Sequence, residues 1–243
     1  MGKIEVDLAR ATSYPYRIPD HSYVYQDGGI EPLTTEVERL DFEDRTPVLA
    51  VGSNQSPEQL SRKFVGADWG MIPVVRTDLK DFDVVYSAHI TAYGSVAATL
   101  HQAPGVTVSL FVNWLDDRQL DRMHETELPN ENYEYGRLTG IEPLPEAGPA
   151  VDDLYVYNSR RGVFAPGGEP IALEEVPARN RYWPSRTQPE IQTLVRDHIA
   201  PGKPIEDFIG ESVTDGKMRQ QRSKKLAGGA LRFSYSGYVP SGF

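Results

Sequence analysis

Val48-Leu49-Ala50-Val51-Gly52-Ser53-Asn54-Gln55-Ser56-Pro57-Glu58-Gln59-Leu60 is the stretch on which the reading of this chain turns. Led in by Pro47 and closed by Gly52, its first four residues form a short apolar run, the pattern of a buried strand. A helix is expected straight after the turn. Ser56 stands at the N-cap, Pro57 at the first helical position and Gln59 where a capping box needs it. Leu60 and Phe64, four apart, give that helix an inward stripe. A glycine-containing turn before a helix start exposes backbone N–H groups, and the helix dipole adds partial positive charge there. Gly52-Ser53-Asn54 therefore reads either as an ordinary strand-to-helix turn or as a nest for a carboxylate, a phosphate or a developing oxyanion. The lysine and glycine spacing of a Walker loop is missing, and so is the dinucleotide fingerprint. No His or Asp partner for Ser53 is identifiable in the sequence, which argues against it as a nucleophile.

Further on, Leu115-Asp116-Asp117-Arg118-Gln119-Leu120-Asp121-Arg122-Met123-His124-Glu125-Thr126-Glu127 has helical period. At about 100° per residue, Met123, His124 and Glu127 fall within about 60° of Leu120, whereas Glu125 falls about 140° away. Glu127 thus lies in the apolar stripe, where a carboxylate must be paired, neutral or functional. Burial predicts a raised pKa, in the range useful for acid–base work. The competing reading ends the helix by Thr126, before Pro129, and leaves Glu127 on the surface. Asp116, Asp117 and Asp121 read as partners of the helix dipole. His21, His89, His101, His124 and His198 show no pair at zinc spacing, so no metal site is expected.

Around these two features the chain is β-rich. Residues 84–92 and 106–114 read as strands punctuated by Gly94 and Pro104-Gly105, and 133–141 and 154–157 as further β structure, with 143–149 as a loop. Residues 187–199 carry a stripe of Ile191, Leu194, Val195 and His198, opened by a capping box of Thr187 and Glu190. The basic run from Lys217 to Lys225 reads as a solvated helix face, and 231–239 as a final strand. In the first 45 residues Asp27-Gly28-Gly29 marks a turn, and Tyr14, Tyr16, Tyr23 and Tyr25 either wrap against a core or hang on a loose arm. With 25 Lys and Arg against 35 Asp and Glu, the net charge of −10 argues against gripping nucleic acid or an anionic membrane. Cysteine is absent, which removes disulfides, thiolate nucleophiles and cysteine-ligated metals. Gly 21 and Pro 19 favour turns and β structure over a helical bundle. No leader or spanning segment is visible, so a cytoplasmic address is expected. The expected fold is a single α+β domain over residues 1–243 with a mostly antiparallel sheet.

Gly52-Ser53-Asn54 after a strand, then Tyr93-Gly94-Ser95-Val96-Ala97-Ala98-Thr99-Leu100, a strand ending in Trp114, a helix ending in Glu127, and Tyr133 form an ordered set. This set resembles the γ-glutamylcyclotransferase-like superfamily, which opens with a Tyr-Gly-Ser-Asn loop and carries its glutamate at a Leu-Asp-x-x-Glu helix end. Glu127 follows Met123 by four residues, as the family glutamate follows its leucine. The other register, Leu120-Asp121 with Glu125, adds a residue, and the helical wheel decides for Glu127. Val51 stands where the family has tyrosine. The likeness covers a core of residues 46–142, and 1–45 and 143–243 have no counterpart in small family members. They are expected as an N-terminal wrap and a C-terminal extension packed on the core.

The resemblance implies a mixed β-barrel with short helices and a cavity at one end. It also implies a cofactor-independent reaction on a small-molecule γ-glutamyl amide or peptide, or a similar amino-acid conjugate. The α-amine attacks its own γ-carbonyl, 5-oxoproline closes and an amine leaves. Glu127 would move the proton, and Gly52, Ser53, Asn54, Gly94 and Tyr133 would bind and shape the substrate. The turn's N–H groups serve either the α-carboxylate or the oxyanion. Rival readings are a carboxylate- or protein-binding module on the same fold, and an amidase or acyl transferase. Neither the leaving amine nor the oligomeric state is read from the sequence.

Overall fold

Two long strands organise the molecule, a computed structural model that describes residues 6–33, 41–129 and 132–242. Ile72–Ile90 (β4) and Val96–Leu115 (β5) form one antiparallel hairpin rich in Val, aromatic and Thr side chains, which suit a pleated, half-buried surface. The Pro104-Gly105 break expected from sequence lies inside β5. It faces a register shift between Lys80 and Phe82, where Asp81 and Gly105 both take positive φ and Gly105 N–H donates to Asp81 Oδ1 at 2.7 Å. A bulge of this kind bends a strand without ending it.

The other strands assemble on this hairpin. Tyr23–Gln26 (β1) and Gly29–Pro32 (β2) form a hairpin around the turn at Asp27, and β1 pairs with β4. Thr46–Ala50 (β3) lies between β5 and Leu154–Ser159 (β8), antiparallel to the first and parallel to the second. Tyr133–Leu138 (β6) pairs with β8, and Tyr238–Pro240 (β12) pairs with β6. Residues 143–149, expected as loop, include Pro143–Pro145 (β7) on β4. Three two-residue strands, Ala172–Leu173 (β9), Ala178–Arg179 (β10) and Ser185–Arg186 (β11), complete the set. The main path runs β11-β9-β4-β5-β3-β8-β6-β12. Its ends do not pair, so the sheet is open where the resemblance implied a barrel. The final strand is also shorter than the expected 231–239: only 238–240 runs along β6, and Leu231 makes a single bridge to Val163.

Period-two alternation splits the apolar residues between two faces. On β3, Leu49 joins one buried cluster with Val75, Leu110, Val112 and Trp114, while Val48 and Ala50 join the other with Phe111 and Leu115. The first face is covered by Gln188–Ile199 (α4), Ile205–Thr214 (α5) and Gly216–Ala227 (α6), through Ile191, Val195, Phe208 and Leu226. The second is covered by Pro57–Lys63 (α2), Asp117–Glu127 (α3) and β1, through Leu60, Met123, Tyr23 and Tyr25. The capping box at α4 forms as expected, with Thr187 N–H donating to Glu190 Oε2 at 2.8 Å. The α6 run is not wholly solvated: Arg222 is buried and donates to Phe208 O at 2.7 Å and to Glu211, tying α6 to α5.

Tyr14, Tyr16, Tyr23 and Tyr25 of the N-terminal segment are all buried, packed rather than on a loose arm. Its parts at 1–5 and 34–40 lie outside the described residues. Leu8–Thr12 (α1) is held by Ala11 O, which accepts from Ser95 Oγ at 2.8 Å and from Gln192 Nε2 of α4 at 3.0 Å. No helix among the described residues is long and apolar enough to cross a membrane. We propose that residues 143–243 do not separate from the core, because α4, α5 and α6 share the cluster of β3, β4 and β5. Limited proteolysis should then release no stable fragment ending near residue 150.

Candidate active site

The turn after β3 is one turn of 3-10 helix, Ser53–Gln55, followed at once by α2. Gln55 N–H donates to Gly52 O at 3.2 Å and Ser56 N–H to Ser53 O at 2.9 Å. Ser56 is the N-cap of α2, but its hydroxyl is buried without a partner and the expected capping box with Gln59 does not form. The 3-10 turn consumes the space in which a capping side chain works, and backbone bonds close the junction instead. The turn is pinned from two sides. Asn113 Nδ2 of β5 donates to Asn54 O at 3.2 Å, and Tyr23 Oη of β1 donates to Gln55 O at 2.9 Å.

Helix α3 starts with a capping box of Asp116 and Gln119 and runs to Glu127, so the carboxylate is the last helical residue. It points inward, with its side chain 15% exposed, against 64% for Glu125, which pairs with Arg122 on the outer face. Asn54 Nδ2 donates to Glu127 Oε1 at 3.0 Å across 73 residues of sequence. Lys63, the last residue of α2, donates to the same oxygen and to Thr126 Oγ1 at 2.9 Å. Among the described residues no hydrogen bond lands on Oε2.

This arrangement overturns the raised pKa expected for Glu127. Burial pushes the carboxyl up, but the Lys63 ammonium, its hydrogen bond and that of Asn54 outweigh it, with His89 adding to the effect. The result lies below the ordinary carboxylate value. The wheel for α3 placed the side chain correctly and said nothing of what it would meet. Lys63 itself was legible: on α2 it falls about 60° from Leu60, on the inward face with Phe64.

Tyrosines and a histidine close the space around this carboxylate. His89, on β4, is buried and pushed down to about 4 by desolvation and by Arg161, so it is neutral near pH 7. Tyr133 packs edge-on against it, ring centroids 5.5 Å apart. Burial raises the Tyr133 hydroxyl well above the phenol range, with Tyr14, Glu127 and Tyr93 adding to the effect. Tyr93 is raised by burial, with Tyr14, Tyr16 and Glu127 adding to the effect, and the Ser53 side chain pulls against it. Asn54 meets Glu127 directly, and Tyr133 lies near enough to be influenced by its charge. Gly94 takes positive φ in the β4-to-β5 turn, and a Cβ there would meet Ile209 at 2.9 Å and Val213 at 3.1 Å, so its open face is filled by α5. Sequence reading missed Lys63, Tyr14, Tyr93 as a side chain, and His89. An open cleft of about 520 Å³ lies beyond the start of α2, between Arg17, His21, Ile30 and Glu58, and none of the site residues above lines it.

No protein-family model matches this chain, and no curated protein matches it. Among solved structures it is similar to a gamma-glutamyl cyclotransferase, at 16% identity and a TM-score of 0.38, over 80% of this chain and 93% of that one. It is also similar to an uncharacterized protein from Homo sapiens, at 15% identity and 0.40, over 81% and 94%. A third is YkqA from Bacillus subtilis, at 12% identity and 0.34, over 92% of this chain and 74% of that one. The first of these bears the name of the family that the sequence resembles, and at such identities and TM-scores the likenesses assign neither residue nor reaction.

Proposed function

We propose that the chain is a γ-glutamylcyclotransferase-like enzyme that cyclises a γ-glutamyl amide or peptide to 5-oxoproline and releases an amine. The observation that carries this reading is the meeting of Asn54 and Glu127 at 3.0 Å, with one carboxylate oxygen unspent. Bound with its α-carboxylate on the turn, the substrate presents its α-ammonium to Glu127. Oε2 takes one proton, and the freed nitrogen bonds to the γ-carbonyl carbon. Glu127 returns that proton to the leaving nitrogen as the amide C–N bond breaks, then takes the second surplus proton from the ring nitrogen and passes it on, so 5-oxoproline keeps one lactam N–H and the amine leaves as an ammonium. Lys63 holds Oε1 and keeps the carboxylate ionised, ready to accept. His89 stays neutral and does not compete for that proton. We assign Gly52, Ser53, Asn54 and Tyr133 to substrate binding, and Gly94 to holding the segment that carries Tyr93.

One observation favours a second reading, a carboxylate-binding module: an ion-paired glutamate is a weaker base than a free one. The experiment that tests the proposal is an assay of γ-glutamyl amino acids, peptides and alkylamides for 5-oxoproline. Release of glutamate instead assigns an amidase, and no product from any of them leaves the binding module.

A further inference from the structure

The N-terminal arm brings a hydroxyl into this site. Tyr14 is 4% exposed, and its Oη accepts a hydrogen bond from Ala98 N–H of β5 at 3.0 Å. The same oxygen lies against the open face of Gly52: a Cβ on that glycine would sit 2.0 Å from it. Only glycine at 52 leaves room for the phenol. Ala98 N–H is the donor here, so the oxygen is used as an acceptor and its own proton is not. Among the described residues no acceptor takes that proton. A buried O–H donor left unspent in a folded chain costs free energy unless something else accepts from it.

The surroundings hold the hydroxyl in place and keep it protonated. Tyr14 belongs to the cluster of Val51 and Ala98, beneath the turn, and Tyr16 packs edge-on against it at 6.2 Å. Burial holds the phenol protonated near neutral pH, and the Glu127 carboxylate adds to that, so the group is a neutral donor. A hydrogen bond received from Ala98 polarises the O–H. The arm itself is fixed, since Ser95 and Gln192 clamp Ala11 three residues earlier. This is a preorganised donor in a dry site.

Resting on the cyclisation reading above, we infer that Tyr14 is a catalytic hydrogen-bond donor to the γ-carbonyl oxygen of the substrate. It holds the oxyanion that forms when the α-amine bonds to the γ-carbon, and releases it as the carbonyl re-forms and the amine leaves. The α-carboxylate then falls to the remaining amides of the Gly52-Ser53-Asn54 turn, which separates the two uses that the turn alone left open. A segment outside the core that carries the resemblance thereby becomes part of the catalytic machinery.

Two readouts test this. In turnover, Tyr14→Phe should lower kcat by about 100- to 1000-fold with KM within a few-fold. A raised KM with unchanged kcat would move the hydroxyl to the carboxylate and overturn the assignment, and wild-type kinetics would remove it. In binding, calorimetry with 5-oxoproline and with proline separates carbonyl from carboxylate, because proline keeps the ring and the carboxylate but lacks the lactam oxygen. Tyr14→Phe should weaken 5-oxoproline about tenfold and leave proline unchanged; equal weakening of both, or of neither, overturns the assignment. If the wild type cyclises nothing while the binding contrast holds, the donor stands and the cyclisation reading falls. If the wild type neither cyclises nor binds either probe, both fall. Should Tyr14→Phe unfold the arm, fluorotyrosine at position 14 keeps the Ala98 bond, and kcat should then vary with phenol acidity, which a packing role does not produce.

Discussion

Two buried ion pairs in this molecule look alike in a contact map and differ in chemistry. Asp83 and Arg181 form a two-pronged pair, with Nε on Oδ2 at 2.8 Å and Nη2 on Oδ1 at 2.7 Å. Arg181 spends a further bond on Val176 O at 2.8 Å, and Val84 N–H donates to Asp83 Oδ1 at 2.8 Å. The aspartate is fully buried, and both its oxygens are answered. Glu127 and Lys63 share a single oxygen, the cation is a point charge, and the carboxylate keeps slight exposure. A carboxylate whose lone pairs are all taken is a strut. One held at Oε1 and open at Oε2 is fixed in place and still able to receive a proton. The difference lies in which cation the fold supplies: a planar guanidinium matches both oxygens, an ammonium only one.

That contrast can be broken at its ends. The largest effect is expected at Glu127→Gln, which keeps the shape and the Asn54 bond but removes the proton-accepting group. Turnover of γ-glutamyl substrates should fall by about a hundred- to ten-thousand-fold per folded molecule, while the melting temperature falls only by what the lost charge pairing with Lys63 accounts for. Equal loss of stability and activity would make Glu127 a second strut. Arg181→Met should do the reverse. Stripping the partner from buried Asp83 should cost about 3–5 kcal/mol in urea unfolding, while kcat per folded molecule stays unchanged.

Lys63 sharpens the comparison by pH. Because Glu127 titrates below the ordinary carboxylate range, the acid limb of kcat/KM should lie below that of a free glutamate. Lys63→Met, a side chain suited to its neighbour Met123, removes the lowering charge and should move that limb upward. Stability follows the same sign. A depressed folded-state pKa contributes stability that is fully present above the unfolded value and is lost as pH falls through the folded one, so wild type should lose this share on acidification and Lys63→Met should lack it. Unfolding curves at several acidic pH values read this directly, and parallel pH profiles for the two proteins would remove Lys63 from the argument. The smallest effect belongs to Glu125→Gln, two positions from the site residue and on the outer face. It should change stability by less than about 0.5 kcal/mol and leave turnover alone.

The sequence by itself determined what depends on a few adjacent residues. The strand before Gly52, the start of α2 at Pro57, the capping box of α4 and the inward face of Glu127 all follow from local spacing, since a helix repeats every few residues and a strand every two. A local rule fails where a neighbouring element takes the same space, as at Ser56, whose cap was displaced by the 3-10 turn, and at Pro104-Gly105, where pairing with β4 carried β5 through. Only the tertiary structure decided what each side chain meets. The wheel turned Glu127 inward, but the sign of its pKa shift depended on Lys63 arriving from another helix. Val51 is read directly from the sequence, but nothing local could show that Tyr14 would lay its hydroxyl on Gly52 from elsewhere in the chain. Electrostatic and steric partners act through space over a few ångström, and which residues come that close is set by the packing of the whole sheet and its two covered faces.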